Sequence, residues 1–301
     1  MKIGVYPRGS KWWIQKLIID AFNNYINENN LQKKYKIIKK SYWDVDTTLD
    51  IVITQGIDNT IVDKYRKLNI NCICIDSSSV KNIGSFIILN GLRPPKGKYL
   101  GFLSKPINNL ENKLEKIQIK NIRKTGSHIL ICLNNIKKKS VVWSTVNCNN
   151  INEINDLIKK TIKNIQEYTN RKIIVRFHPK TKKGIKKKLE HLLSVSKIKN
   201  VIFSQNKNIN DDINNCWFGV CFSSSSVCFE LFKNGIPFHC FKQNIGYPIS
   251  IPLNKIEELN MNNYDRDLFL KKCLNSIWTP HKSDFFEYLH NYIFSNLKFK
   301  I

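Results

Sequence analysis

Residues 172–180, KIIVRFHPK, decide how the chain is to be read. An apolar, β-branched run ends in Arg176 and then in His178-Pro179, and a proline cannot continue a central strand. The stretch predicts a buried strand that runs out into a turn carrying Arg176, His178 and Lys180. Upstream, Ile151, Ile154, Leu157, Ile158, Ile162 and Ile165 recur at three- and four-residue steps, which predicts a helix over 151–168. Before that helix stands HILICL (128–133), a further strand. Downstream comes a basic helix with Ile185, Leu189, Leu192 and Leu193 on one side. VIF (201–203), WFGVCF (217–222), a serine-rich turn, a helix from about Ser226 to Asn234 and IPFHCF (236–241) follow, with Gly235 where a helix C-cap would stand. Strand and helix in alternation form the α/β pattern.

The first half of the chain repeats that grammar. KIGVY (2–6), residues 36–39, DIVIT (50–54), NCICI (71–75) and residues 86–89 read as strands, and residues 12–28 as a helix with Trp13, Leu17 and Ala21 on one face. NGLRPPKGK (90–98) excludes helix and central strand by its prolines and glycines. Residues 107–125 read as a connection with a short helix, and residues 264–298 as two helices around Trp278-Thr279-Pro280. The expectation is an α/β protein with two Rossmann-like domains facing a cleft: 1–126 on the acceptor side, 127–262 on the nucleotide side, and a helical tail over 263–301. Its 301 residues suit two domains. Ligands of such sheets bind at the carboxyl ends of the strands.

Composition narrows the class. Hydrophobic residues make up 42% and charged residues 24%, which excludes a mostly disordered chain. No apolar run approaches the ~18 residues of a membrane span, and the start has no signal-peptide core, so a cytoplasmic location is expected, host cytoplasm if the chain is viral. The charge is +26, from 49 Lys+Arg against 23 Asp+Glu. Abundant Lys, Asn and Ile fit an A/T-rich coding bias, but that bias does not explain the scarcity of acids. A field this positive suits nucleic acid, an anionic lipid surface or phosphorylated substrates. The nine cysteines, an odd number without a CxxC pair, stand mostly in apolar runs and read as buried reduced thiols rather than zinc ligands.

Two loops carry candidate chemistry. Arg176 and Lys180 are suited to phosphate oxygens and His178 to donating to one, although strand-end cations are often merely solvated. Ser223, Ser224, Ser225 and Ser226 precede a helix, where hydroxyls and free amides together attract anions. One serine is needed as a cap in any case, and the run is neither GxxxxGK nor GxGxxG. Glu230, one turn on, is placed to accept from ribose hydroxyls or simply to face solvent.

With these residues the chain resembles GT-B glycosyltransferases that carry an HP motif and a Ser-Ser motif, and more closely a group of uncharacterised phage-encoded proteins. The resemblance rests on Arg8-Gly9-Ser10, Asn90-Gly91-Leu92, ILIC (129–132) with Trp143-Ser144, YTNRKIIVRFHPK (168–180), SSSS (223–226), Gly235-Ile236-Pro237-Phe238 and Trp278. It spans nearly the whole chain. Departures are Lys180-Thr181 in place of Gly-Asp, Leu133-Asn134 in place of a glutamine-containing segment, and Asp58-Asn59 where basic residues are usual. The resemblance implies sugar transfer from a UDP-, GDP- or CMP-sugar used as co-substrate, without a tightly bound cofactor or metal. By that carry-over Arg176, His178, Lys180 and Ser223–Ser226 hold the donor phosphates and Glu230 the ribose. Trp143 and Ser144 line the base or sugar, core packing and a turn hydroxyl being equally good readings of them.

An inverting transfer needs a base on the acceptor side. Asp76, at the end of the CICI strand, is the first candidate and Asp58 the second. Asp44 and Asp46 stand behind them, and Asp76 also suits a turn cap. Phage enzymes of this kind glycosylate hydroxymethylated pyrimidines in DNA, which makes duplex DNA the expected acceptor. Arg8, Gly9, Ser10, Lys11 and Trp12 would form an acceptor loop with a stacking ring. The lysine clusters at 33–40, 137–139 and 182–188 would meet phosphates. A surface-polysaccharide transferase touching the membrane peripherally shares every donor-side residue. A non-catalytic nucleotide- or DNA-binding protein is the other alternative.

Overall fold

The structure, a computed structural model, describes residues 1–7, 12–41, 44–55, 60–76, 85–89, 98–99, 117–134, 136, 150–196, 198–222, 225–241, 244, 246–258, 266–275, 277–278 and 283–294. Its chain divides into two compact units, Met1–Lys116 with Leu270–Ile301, and Ile117–Phe269. Both are α/β and Rossmann-like.

In the first unit β1 (Lys2–Val5), β2 (Lys36–Lys39), β3 (Ile51–Gln55) and β4 (Asn71–Asp76) lie parallel in the order β2-β1-β3-β4. The antiparallel strands β5 (Ser85–Leu89), β6 (Lys98–Tyr99) and β12 (Ile277–Trp278) extend the sheet beyond β4. Helix α1 (Trp12–Glu28) joins β1 to β2, and α2 (Thr60–Lys67) joins β3 to β4. The link from β2 to β3 has no helix among its described residues. It crosses β1 closely enough that a Cβ on Gly4 would meet a Leu49 methyl at 2.4 Å, so a larger residue there would require the Leu49 side chain to move.

The C-terminal residues are part of this unit, whereas the sequence set 263–301 apart as a tail. Helix α7 (Arg266–Asn275) leads into β12, and α8 (Ser283–Tyr288) packs on α1. Phe22 lies 4.4 Å from Phe286 between ring centroids, and the Tyr35 hydroxyl meets His290 Nδ1 at 2.6 Å. Trp278, read as a break between helices, is instead a strand residue paired antiparallel with Ser85. The aromatic face of α8 has no core of its own, so it completes the one built by Ile3, Ile18, Phe22 and Ile53.

The second unit is a five-stranded, wholly parallel sheet in the order β11-β10-β7-β8-β9. Its strands are β7 (His128–Cys132), β8 (Lys172–Arg176), β9 (Val201–Phe203), β10 (Cys216–Cys221) and β11 (Phe238–Cys240). The connecting helices are α3 (Ile151–Gln166), α4 (Lys183–Ser194), α5 (Ile209–Ile213) and α6 (Ser225–Lys233). Asn150 caps α3 by accepting from the amides of Asn152 and Glu153. The stripe Ile154, Ile158, Ile162 and Ile165 is fully buried against the sheet, at about 1.5–3 kcal/mol per side chain. Asn69, Asn215 and Gly235 adopt left-handed backbone where α2, α5 and α6 turn into the next strand. The asparagine-rich composition therefore has a local structural use.

The eight described cysteines are free thiols, all buried. Cys132, Cys221 and Cys240 stand side by side in register on β7, β10 and β11. Burial pushes the Cys72 and Cys216 thiols up to about 12 and that of Cys228 well above its ordinary value. Among the described residues no group of three or more His, Cys, Asp or Glu could hold a metal ion, and no helix is long and apolar enough to cross a membrane.

Candidate functional site

The strand order of the second unit brings the sequence-predicted loops to one edge of the sheet. The chain runs β7-β8-β9 to one side, then returns across β7 to place β10 and β11 on the other. The crevice of such a sheet opens at the carboxyl ends of β7 and β10, where the direction reverses. The serine run follows β10, and the HP turn follows β8. One strand, β7, separates β8 from β10, so the two loops leave the sheet about 10 Å apart.

The HP turn is explained by its own residues. The Thr181 amide donates to the His178 carbonyl at 2.9 Å, closing a four-residue turn. Pro179 occupies its second position, where the ring presets φ. Thr181 is buried and its Oγ1 accepts from the Ile136 amide at 3.5 Å, which ties the turn to the segment after β7. The Lys180 amide donates to His178 Nδ1 at 3.1 Å. With Nδ1 accepting, the neutral ring carries its proton on Nε2. Burial, then Lys180 and Lys186, hold the His178 pKa below its ordinary value, so the ring is neutral at pH 7. With Nδ1 occupied, Nε2–H is the hydrogen-bond donor that the uncharged ring offers. Phe177 underneath stacks on Phe203 with centroids 5.5 Å apart.

Arg176 does not join this site. Expected to hold phosphate, it is 8% exposed, and its guanidinium is ion-paired with the buried Asp212. It also donates to Ser204 Oγ at 3.3 Å, the Asn206 carbonyl at 3.0 Å and the Lys207 carbonyl at 3.0 Å. Asp212 in turn accepts from Ser204 Oγ at 2.6 Å and Asn206 Nδ2 at 2.7 Å. A guanidinium buried without a partner would be costly, and this network supplies one while pinning the 204–208 loop. Residues 204–216 are a polar stretch between two apolar runs, which by itself does not single out Asp212. Asn208, whose side chain caps α5 by accepting from the Asn210 amide, followed by Asp211 and Asp212 in the first turn, is the signal that would have found it.

The other expected residues fall as follows. Lys180 is exposed beside His178. Ser225 and Ser226 open α6, while Ser223 and Ser224 lie outside the described residues. Glu230 sits on α6 with its carboxylate 3.0 Å from Lys233 Nζ and its side chain 24% exposed. Phe222, just before the serines, stacks on Phe241 at 5.2 Å. Trp143 and Ser144 lie outside the described residues.

In the first unit the carboxyl end of β1 is the corresponding edge. Asp76 is the last residue of β4, Trp12 the first of α1, and Arg8, Gly9, Ser10, Lys11 and Asp58 lie outside the described residues. What the structure adds is a buried chain of hydroxyls. The Asp46 amide donates to the Tyr65 hydroxyl at 2.8 Å, Tyr65 meets the Tyr6 hydroxyl, and Tyr6 donates to the Asp44 carbonyl. Gln15 Nε2 bridges the carbonyls of Val5 and Lys40 at 2.5 and 2.8 Å. Lys40 Nζ pairs with Asp44 at 2.6 Å and Asp46 at 3.3 Å.

A cavity of about 450 Å³ lined by Lys163, Arg171 and Lys199 opens at the opposite, amino ends of β8 and β9. Arg171 is bound there by Glu257, at 2.8 and 3.1 Å, and lies over Trp217. The carboxyl ends of α3 and α4 face the same edge and favour these cations without any ligand.

No protein-family model matches the chain, and no curated protein matches it. Among solved structures it is similar to UDP-GlcNAc 2-epimerase of Methanocaldococcus jannaschii, with 12% identity, TM-score 0.36 and coverage of 96% of this chain and 99% of that one. It is also similar to MurG of Acinetobacter baumannii (8% identity, TM-score 0.29, 94% and 97% covered). A third likeness is to the spinosyn forosaminyltransferase SpnP (9%, 0.32, 96% and 98%). The fold assignment rests on the strand orders themselves.

Proposed function

We propose that this chain is a nucleotide-sugar-dependent glycosyltransferase of the GT-B kind, with hydroxymethylated pyrimidine in DNA as acceptor. The observation that carries the reading is His178, held neutral with Nε2–H as its donor, in the turn after β8, the strand beside the reversal point. The departing nucleotide gains negative charge on its phosphate oxygen as the bond from that oxygen to the sugar's anomeric carbon breaks. A fixed neutral donor stabilises that charge without a proton having to be removed first. In this scheme His178 and Lys180 take one phosphate, and Ser223–Ser226 with the first amides of α6 take the other. Glu230 accepts from the ribose, and Trp143 and Ser144 border the sugar or base.

The new bond forms between C1 and the acceptor oxygen, whose proton passes to a carboxylate of the first unit, Asp76 or Asp58. Arg8, Gly9, Ser10, Lys11 and Trp12 guide the acceptor. Arg176 acts as a positioning residue, through the loop it pins.

The test is turnover of UDP-, GDP- and CMP-sugars with and without DNA containing 5-hydroxymethylpyrimidines, read by the mass of digested nucleosides. The expected result is a sugar-sized mass gain that disappears in a folded His178→Ala variant. Donor hydrolysis without DNA labelling would move the acceptor to a glycan. No turnover and no nucleotide binding would overturn the reading.

A further inference from the structure

Helix α4 is built against the usual rules for a helix start. Its N-cap is Lys182, which makes no capping hydrogen bond, and its first turn holds no acid. Cations there oppose the helix dipole. Lys183 and Lys187 are a like-charged i,i+4 pair, as are Lys182 and Lys186, and each such pair costs about 0.2–0.5 kcal/mol. Gly184, in the same first turn, is a weaker helix former than alanine. A Cβ at Gly184 would meet nothing within 4 Å, so packing does not require the glycine.

From 180 to 190 the sequence has six lysines and one acid, Glu190. Lys180, Lys182, Lys183, Lys187 and Lys188 are exposed. None of the six has an ion-pair partner among the described residues, and Lys186 lies over the Phe177 ring at 6.0 Å; what sets the group apart is its density, six lysines in eleven residues. Coding bias raises lysine everywhere. It does not gather unpaired lysines on the first two turns of the helix that starts beside His178. Local conflict of this sort marks a surface kept for a partner.

We infer that the first two turns of α4 are a docking ridge for the phosphate backbone of nucleic acid. The ridge delivers the polymer to the His178 edge, and it rests on the proposed DNA acceptor, not on the donor chemistry. A membrane-surface helix also needs an apolar face free to insert. Here Ile185, Leu189 and Leu193 are buried in the unit's own core, and Gly184 offers no side chain. Lysine point charges over a side-chain-free position suit a sugar-phosphate backbone instead.

The test uses the full chain and a fluorescein-labelled 20-base-pair duplex without modified bases, followed by anisotropy between 50 and 200 mM salt. With about four phosphate contacts, log K falls against log salt with a slope near −4. Lys183→Glu/Lys187→Glu lowers affinity roughly tenfold or more and flattens the slope. The charge-matched Lys160→Glu/Lys163→Glu on α3 changes affinity less than about threefold. Equal losses in both doubles would overturn the ridge in favour of diffuse charge. Binding to vesicles of phosphatidylcholine with phosphatidylserine, but not to the duplex, would replace it with a membrane surface. Sugar-nucleotide binding is measured in the same samples. If it is absent while the ridge double still loses DNA, the transfer reading fails and the ridge stands.

Discussion

At the carboxyl end of β1 the chain buries two phenols and an amide, whereas at the carboxyl end of β8 it buries a guanidinium and a carboxylate. Both arrangements hold a loop at the carboxyl ends of parallel strands. The first does so with neutral groups and leaves Lys40, Asp44 and Asp46 nearer the rim. The second takes the charges inside and leaves His178, two residues further on, half-buried in the turn. Strand-end residues of similar character can thus serve opposite purposes. Which one is internal depends on whether another element supplies its partner, as α5 supplies Asp212.

The largest expected effect tests that contrast directly. Asp212→Ala strands the Arg176 charge and should cost about 3–5 kcal/mol in urea denaturation, while Arg176→Met/Asp212→Leu should recover most of it. A cost under about 1 kcal/mol for the single variant would show that the ion pair does not hold the edge. Tyr65→Phe, the neutral counterpart, removes the acceptor of the Asp46 amide and should cost about 1–3 kcal/mol. If it exceeds Asp212→Ala, the ranking of charged over neutral closure is wrong. Glu257→Gln, at the partly exposed Arg171 pair on the opposite edge, should cost less than about 1 kcal/mol.

Acidity gives a gentler test. Burial holds His178, His239 and His290 below their ordinary pKa, so in the window beneath about 6.5 the unfolded chain binds more protons than the folded one. Stability is therefore complete above that value and declines as the pH is lowered through it. Urea midpoints at pH 7.5 and 5.5 should differ in that direction, and by less in His178→Gln/His239→Gln. The smallest stability change is expected for His178→Gln alone, within about 1 kcal/mol, because the half-buried ring makes one side-chain hydrogen bond, which the Gln amide oxygen can replace. Donor turnover should nevertheless collapse, and a stable variant with full turnover would remove His178 from the site.

Much of the architecture was legible. The isoleucine spacing of α3 and the apolar runs of β7, β8, β10 and β11 each name one element, and the observed bounds differ by only a residue or two. Three features were not. Trp278 reads as a helix break because its pairing with Ser85 is made across nearly two hundred residues. The phenylalanines of α8 read as a tail because α1, which they cover, is far away in the chain. Arg176 reads as a ligand because a basic residue at a strand end looks the same whether water, phosphate or a buried aspartate awaits it. Of the site, the HP turn was visible as a turn, but the protonation state of its histidine was not.

Periodicity, turn residues and charge are local properties of the chain, so the sequence by itself determined the α/β class, the order of the strands along it, the HP turn and the excess of lysine. Partnership is not local. Only the tertiary structure decided that Arg176 is internal, that Nδ1 of His178 is occupied and Nε2 presented, and that the C-terminal helix completes the first core. Each of these depends on which distant group arrives within a few ångströms, and a buried charge or apolar face is stable only once that group is there.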